Sequence, residues 1–316
     1  MDTVWQPQPQ AFPAEGMPTS VRIYEVGPRD GLQAEAQLVP LEVKAEFCRR
    51  LVDAGVSTIE LTSFVSPKWI PQLADAEQLM AELTLPEDVR QVVLTPNQRG
   101  LDRALAAGAR EIAVFVSATE TFAAKNLNST IRGVIDAAAP VVHGGLDAGL
   151  PVRGYISMCF GDPWEGPVAP TTVADVAEQL VGLGVTSLSL GDTIGVATPG
   201  HVQAVLAEVL ARGIGVDTVA MHFHDTYGQA LTNVYASLQA GVTEFDSSAG
   251  GLGRCPYAKG ATGNLATEDL LWMLHGLGIC TGIDLDALAL TSSWMAERIG
   301  HPSPSAVVTA LAAGRV

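Results

Sequence analysis

The sequence is poor in basic residues and in cysteine, and it has no long apolar run. Lysine and arginine total 18 against 34 aspartates and glutamates, which gives a formal net charge of −16. This balance argues against nucleic-acid binding, which needs a basic face. No apolar stretch approaches the length that spans a membrane. The four cysteines lack CxxC spacing and a secretory context, so we expect a reduced, cytoplasmic protein; they are Cys48, Cys159, Cys255 and Cys280.

The first twenty residues are rich in Pro, Gln and Ala and lack a basic segment followed by an apolar run. This composition predicts a flexible tail rather than a signal peptide. We therefore expect a tail over residues 1–20 and one domain over residues 21–316.

From residue 21 short apolar strands alternate with amphipathic helical segments. The eight predicted strands are 21–26, 58–62, 89–95, 111–117, 152–159, 187–190, 218–224 and 243–247. Several helices end in a glycine turn that leads into the next strand, as at Gly55, Gly108, Gly184 and Gly241. Eight such units predict a closed (β/α)8 TIM barrel. An open doubly wound sheet is the alternative, but no Gly-rich dinucleotide motif follows the first strand. Segments 285–299 and 304–313 are predicted as extra C-terminal helices that cap the barrel or join a partner.

In such a barrel, active-site residues lie at the carboxyl ends of the strands. His222 and His224 share one face of a strand end, and two imidazoles placed there can bind one metal ion. They could equally be ordinary core or surface histidines. Asp30 could add an oxygen ligand, although an Asp-Gly pair is also a common turn. Such a set suits Mg²⁺ or Mn²⁺, with zinc and redox iron as weaker candidates.

Four further residues could contribute chemistry. Arg29 could stabilise an oxyanion or form a structural ion pair. Glu60 lies inside an apolar strand, where an unpaired acid is costly and is therefore more often functional. Asp192 could be functional or could cap a turn. Cys255 lies in the glycine-rich segment 250–264, a passive connection or a mobile lid, where Arg254 and Lys259 would favour its thiolate.

With these residues assembled, the chain closely resembles the 3-hydroxy-3-methylglutaryl-CoA lyase family, a branch of the metal-dependent aldol-type TIM barrels. The resemblance covers residues 21–282. Its motifs are 26–33 (VGPRDGLQ), 62–69 (TSFVSPKW), 222–228 (HFHDTYG), the Cys-bearing loop 251–264 and the segment 265–270 (LATEDL).

The resemblance implies a divalent metal, Mg²⁺ or Mn²⁺, bound by Asp30, His222, His224 and Asn264. The substrate 3-hydroxyl and carboxylate would fill the open positions, and a base, predicted to be His222, would remove the acidified hydroxyl proton. Cleavage of the C2–C3 bond would give acetoacetate and the enolate of acetyl-CoA. The family pattern also gives roles in catalysis to Arg29 (enolate oxygen), Cys255 (enolate carbon), Glu60 and Asp192.

The implied partner is an acyl-CoA, and a homodimer is expected. Residues of the upper loops could offset the coenzyme A phosphates or be ordinary solvated residues; they are Lys68, Lys125, Asn126 and Lys259. The chain departs from the family at Asp162 and Trp164, where Cys and Tyr are usual, and at Arg254, where Gly is common. These departures could alter which acyl chain is accepted, and Arg254 would also lower the pKa of Cys255.

Three other functions stay open. The same reaction could act on a related 3-hydroxy-3-substituted glutaryl-CoA with a longer side chain. A Claisen-type synthase is a more distant reading, against which the Cys255 loop and the lack of an obvious regulatory domain argue. A barrel that binds acyl-CoA or metal without turnover should lack a chemical residue, yet every expected position is filled.

Overall fold

The structure, a computed structural model, describes residues 7–253 and 263–314. Eight parallel strands close into a barrel in the order β1-β10-β9-β8-β5-β4-β3-β2. The predicted TIM barrel is therefore confirmed. The barrel strands are β1 (Arg22–Glu25), β2 (Thr58–Ser63), β3 (Arg90–Leu94), β4 (Glu111–Ser117), β5 (Val152–Ser157), β8 (Ser187–Asp192), β9 (Val219–Phe223) and β10 (Glu244–Ser247). The remaining two, β6 (Gly161–Asp162) and β7 (Gly166–Pro167), form a small antiparallel hairpin after β5.

Helices surround the barrel, and local signals set their ends. They are α1 (Leu41–Asp53), α2 (Ala76–Glu82), α3 (Gln98–Ala106), α4 (Glu120–Leu127), α5 (Ile131–Asp147), α6 (Pro170–Leu183), α7 (Pro199–Ala211), α8 (Ala230–Gln239), α9 (Thr267–Gly276), α10 (Leu285–Ile299) and α11 (Ala306–Ala313). Asn97 and Thr130 cap α3 and α5 by accepting a backbone N–H three residues on. The four predicted glycine turns all have positive φ, between 80° and 100°.

Two apolar clusters form the core. The larger one fills the layer between the strands and the helices, and it extends to α10 and α11. A smaller cluster lies inside the barrel and includes Tyr24, Val92, Leu94 and Tyr155. Because the interior also holds Arg153, Glu60 and Asp246, all buried, the barrel has a polar centre.

The structure adds three details to the predicted elements. Helix α4 was not predicted, so Asn126 lies within a helix rather than in a loop after β4. Helix α9 was also missed. Asp192 is the last residue of β8 rather than a residue beyond it. The apolar or amphipathic pattern is too short to mark helices α4 and α9, and too short to show that β8 extends to Asp192.

The residues before β1 contact the C-terminal helices. The N–H of Phe12 donates to the carbonyl of Gly276 at 2.8 Å, and Ser20 pairs with Cys280 in an isolated bridge. The division between tail and domain at residue 20 stays a prediction. In the described ranges, no helix has both the length and the apolar character needed to cross a membrane.

Candidate metal centre

The predicted pair of histidines lies at the carboxyl end of β9. Alternation along the strand turns both rings toward the barrel axis, and their centroids are 5.2 Å apart. His224 is buried, and His222 is nearly so. Their placement confirms that the two side chains share one face.

Asn264 reaches the pair because the segment that follows the Gly-rich loop runs along the end of β9. Asn264 and His224 form an isolated antiparallel bridge, and the N–H of Leu265 donates to the carbonyl of Phe223 at 3.0 Å. The Asn264 Nδ2 donates to Asp30 Oδ2 at 2.8 Å and to the Leu252 carbonyl at 3.1 Å. A side chain 40 positions further along the chain is thereby fixed beside His224.

Asp30 is presented by a single π-helical turn, Gly27–Gly31, directly after β1. The N–H groups of Asp30 and Gly31 both donate to the Val26 carbonyl. Single π-helical turns are rare in proteins overall, but those that occur are frequently found at functional sites. Gly31 cannot carry a side chain here, because a Cβ would lie 2.8 Å from the Cβ of Leu252. This tight packing holds the turn against Leu252, near the start of the Gly-rich segment 250–264.

The arrangement fits a divalent cation. Ligand atoms of Asp30, His222 and His224 all lie within 4.8 Å of one another. Asn264 Oδ1 is buried and has no hydrogen-bond partner among the described residues, while its amide nitrogen contacts Asp30 and Leu252. A buried acceptor without a donor is costly, and a cation would satisfy it. Carboxylate and amide oxygens with two imidazoles form a mixed donor set that Mg²⁺, Mn²⁺ or zinc could accept.

The protonation states also suit a cation. Burial raises the pKa of Asp30, but the charges of Arg29 and His222 and the hydrogen bond from Asn264 outweigh it and lower the pKa to about 2. Burial and the charge of His222 lower the pKa of His224 to about 3, so its ring is neutral. Burial lowers the pKa of His222, yet its hydrogen bond to Asp246 and the charge of that carboxylate raise it above the ordinary value. The site therefore supplies an anionic oxygen and a neutral imidazole at neutral pH.

Arg29 and Glu60 form a buried ion pair beside Asp30. The Arg29 Nε donates to Glu60 Oε2 at 2.5 Å, and its Nη1 donates to Asp30 Oδ1 at 2.7 Å. Burial raises the pKa of Glu60 while Arg29 opposes that shift. A register shift in β2 directly after Glu60 is of the kind found next to active sites. Because Glu60 Oε1 has no partner among the described residues, the pair keeps one acceptor available.

Asp192 caps a turn. Its carboxylate accepts the N–H groups of Val196 at 2.9 Å and Ala197 at 3.0 Å. Burial raises its pKa to about 6, against the effect of these hydrogen bonds and of the nearby His222. The structure thus supports the cap that the sequence allowed and also places the carboxylate within electrostatic range of the histidines.

Three buried side chains below the histidines were not singled out from the sequence. Asp246 Oδ2 contacts His222 Nδ1 at 3.2 Å, and Asp246 Oδ1 accepts from Arg153 at 2.5 Å. The Tyr155 ring meets His222 edge-on, with centroids 6.5 Å apart. Asp246 follows the apolar Phe245 in the buried strand β10. An unpaired acid is costly to bury, and this argument, which singled out Glu60, applies to Asp246 as well.

The other predicted residues lie on the outside of the mouth or outside the described residues. Lys68 is exposed in the loop after β2, and Lys125 and Asn126 are exposed on α4. The Lys125 ammonium lies 5.0 Å from the centre of the Trp164 ring. Cys255, Arg254 and Lys259 fall outside the described residues.

Asp162, which departs from the family pattern, is buried, and both of its carboxylate oxygens accept hydrogen bonds. Its Oδ2 accepts from the Thr119 hydroxyl at 2.6 Å, and its Oδ1 accepts the N–H groups of Trp164 and Glu165 at 2.7 and 3.0 Å. It ties the β6–β7 hairpin to the start of α4. These hydrogen bonds offset the cost of burying an acid at position 162, and they set the position of Trp164.

Comparison with known proteins gives consistent matches. The family model described as HMGL-like matches residues 20–295. The chain is 48% identical to the mitochondrial hydroxymethylglutaryl-CoA lyase of Arabidopsis thaliana, over 94% of this chain and 64% of that protein. It is 44% identical to the cytoplasmic 3-hydroxy-3-methylglutaryl-CoA lyase of Rattus norvegicus, over 96% of this chain and 88% of that protein. An HMG-CoA lyase structure from Acinetobacter baumannii, in complex with coenzyme A and 3-methylmalate, is 37% identical with a TM-score of 0.88, over 94% of this chain and 96% of that one.

Proposed function

The chain belongs to the HMGL-like family, and from this membership and the metal centre we propose that it is a divalent-metal-dependent lyase that cleaves 3-hydroxy-3-methylglutaryl-CoA to acetyl-CoA and acetoacetate. The observation that carries the proposal is the convergence of Asp30, His222 and His224, with Asn264 beside them, whose Oδ1 has no partner among residues 7–253 and 263–314. Relatives that match nearly the whole chain bear the name of this activity.

We propose that Mg²⁺ or Mn²⁺ is bound by Asp30, His222, His224 and Asn264. The ion would act as a Lewis acid on the substrate oxygens. The protein supplies the geometry, because each donor is fixed by its own backbone element before any ligand binds. The positive side chain of Arg29, beside the metal ligands, also offsets the acidic character of the chain near an anionic substrate.

We propose that His222 binds the metal and is not the base that removes the substrate proton. The sequence analysis gave it both roles, but Asp246 engages Nδ1 and only Nε2 remains. One lone pair cannot bind a cation and accept a proton at the same moment. We propose instead that the Asp30 carboxylate, which is ionised because its pKa is lowered to about 2, takes the proton of the 3-hydroxyl.

Arg29 would stabilise the oxygen of the acetyl-CoA enolate. Its guanidinium is oriented by Glu60 and Asp30 on one side and lies 5.7 Å from the centre of the Tyr155 ring on another. Preorganised charge of this kind, in a site that excludes water, favours the state in which charge develops. Glu60 and Asp192 would organise the site, and Cys255 would position or protonate the enolate carbon.

We also propose that the acyl-CoA substrate enters over the loop that carries Lys68 and over helix α4, which carries Lys125. Both follow barrel strands at their carboxyl ends and are exposed; Asn126 and Lys259 belong to the same proposal. A homodimer and a cytoplasmic location remain proposals as well. Relatives with cytoplasmic and with mitochondrial names both match, so the location needs its own test by fractionation.

A panel of 3-hydroxy-3-alkylglutaryl-CoA thioesters tests the function. Purified protein is incubated with Mg²⁺ or Mn²⁺ and each thioester, and acetyl-CoA release is followed. We expect turnover of the 3-methyl substrate, and a preference for a longer alkyl chain would assign the related substrate. Asp30→Ala should abolish cleavage, while Asp147→Ala, an exposed acid at the end of α5, should not change it. Release from no thioester, or full turnover by Asp30→Ala, would disprove the proposal.

A further inference from the structure

Asp246 lies directly beside His222 in the barrel wall. Strands β9 and β10 are parallel neighbours, and Asp246 and His222 are register partners. Partners in adjacent strands point to the same face, so both side chains face the barrel interior. The carboxylate is completely inaccessible to solvent, and its Oδ2 lies 3.2 Å from His222 Nδ1.

The carboxylate has little freedom to rotate, because both of its oxygens also accept a hydrogen bond from a residue other than His222. Oδ1 accepts from the Arg153 Nη2 at 2.5 Å, and Oδ2 accepts from the Ser189 hydroxyl at 2.7 Å. Arg153 is itself fully buried, and its other terminal nitrogen donates to Glu244. Side chains from β5 and β8, two strands that do not pair with β10, thus hold Asp246 in place from across the barrel interior.

From this geometry we propose that Asp246 is a positioning residue that holds His222 as the Nδ1–H tautomer, with Nε2 directed into the metal centre. The inference rests on the proposed metal centre and extends it by one residue outside the ligand set. The physical reason is that an ionised carboxylate only accepts hydrogen bonds, so the nitrogen facing it must carry the proton. The opposite nitrogen then keeps its lone pair for a cation, and a ring locked in this way binds metal more strongly.

Metal affinity is the first test, because it needs no substrate. The Kd for Mn²⁺, followed by electron paramagnetic resonance, should rise about 10–100-fold in Asp246→Asn, the usual effect of losing such a partner. Ser189→Ala removes one hydrogen bond from the same oxygen but leaves the carboxylate, so its Kd should change less than threefold. Glu244→Gln removes the other carboxylate on Arg153 without touching the His222 contact, and its Kd should also stay within threefold.

The tautomer gives a readout that a general loss of stability would not move. In protein labelled with ¹⁵N-histidine, the Nδ1 signal of His222, assigned by its loss in His222→Gln, should be that of a protonated nitrogen with and without saturating Mg²⁺. In active protein, kcat should fall in Asp246→Asn while the KM for the acyl-CoA changes little. If Asp246→Asn does not fold, the wild-type tautomer and the Ser189→Ala and Glu244→Gln affinities still decide the matter.

The proposal is overturned by a Mg²⁺-saturated wild type with an unprotonated Nδ1, by unchanged Mn²⁺ affinity in Asp246→Asn, or by an equal loss in Glu244→Gln. The last result would mean that the buried charge of Arg153, and not the His222 contact, governs the site. These outcomes are independent of the reaction: a protein that binds Mn²⁺ as described but cleaves no thioester would refute the lyase function and leave the role of Asp246 intact.

Discussion

Replacing Gly253 by alanine tests how closely Asn264 is held. Gly253 has φ +112°, and a Cβ at this position would lie 2.6 Å from the Asn264 Nδ2. That amide donates to Asp30 Oδ2 and to the Leu252 carbonyl. The added methyl group therefore has to displace the amide that connects the Gly-rich loop to the metal centre.

The cost has two parts. A side chain in a left-handed conformation costs about 1–2 kcal/mol. Losing the amide contacts costs about 1.5–3 kcal/mol for the charged partner and about 0.5–1.5 kcal/mol for the neutral one. We expect Gly253→Ala to lower the free energy of unfolding by about 3–6.5 kcal/mol, the sum of these contributions.

Gly149→Ala is the matched control. Gly149 also has positive φ, +77°, but nothing lies within 4 Å of a Cβ built there. It should cost only the conformational part, about 1–2 kcal/mol. Urea unfolding of metal-free protein measures both variants, and Mn²⁺ titration should show weakened binding for Gly253→Ala alone. Equal destabilisation by the two substitutions, with metal binding intact in both, would refute the placement of Asn264.

Other predictions concern the buried acids, the metal and the mouth. Burial raises the pKa of Glu268 from 4.5 to about 8, so the folded state keeps a proton that the unfolded state releases, and stability should fall as pH rises through that window; in Glu268→Gln the thermal midpoint should depend less on pH. Glu60→Ala should destabilise the protein by about 3–5 kcal/mol in urea unfolding, since it leaves the buried Arg29 without its main partner; a loss below 1 kcal/mol would contradict this. Chelation of divalent metal should abolish acetyl-CoA release, and added Mg²⁺ or Mn²⁺ should restore it. Asp162→Ala should raise the KM for the acyl-CoA more than it lowers kcat, because it frees the hairpin that carries Trp164; an unchanged KM would argue against a role for the hairpin in substrate binding.

Much of the site could be predicted from the sequence because its signals are local. The spacing of His222 and His224 places them on one strand face whatever the rest of the fold, and Asp30 follows the first strand directly. The family motifs then connected residues that are far apart in the chain. Asn264 came from that resemblance alone, since nothing in its neighbourhood marks it as a ligand.

The remainder depended on which strands become neighbours. Asp246 contacts His222 only because β10 pairs with β9 in one particular register, and a period-2 pattern cannot give that register. The dual role of His222 as metal ligand and base stays a prediction, and its contact with Asp246, which takes one of its two nitrogens, could not be read from the sequence. Asp192 could be a cap or a site residue by sequence, and only the positions of the Val196 and Ala197 N–H groups showed the cap.

The sequence by itself determined the alternation of strands and helices, the glycine turns between them and the histidine pair, because hydrophobic periodicity and backbone sterics act over a few residues. Tertiary structure decided which polar groups share the barrel interior. Barrel closure brings Asp30 from β1 beside β9 and β10, and the return of the chain after the Gly-rich loop brings Asn264 to His224. Both depend on the summed packing of the whole barrel, which no local pattern encodes.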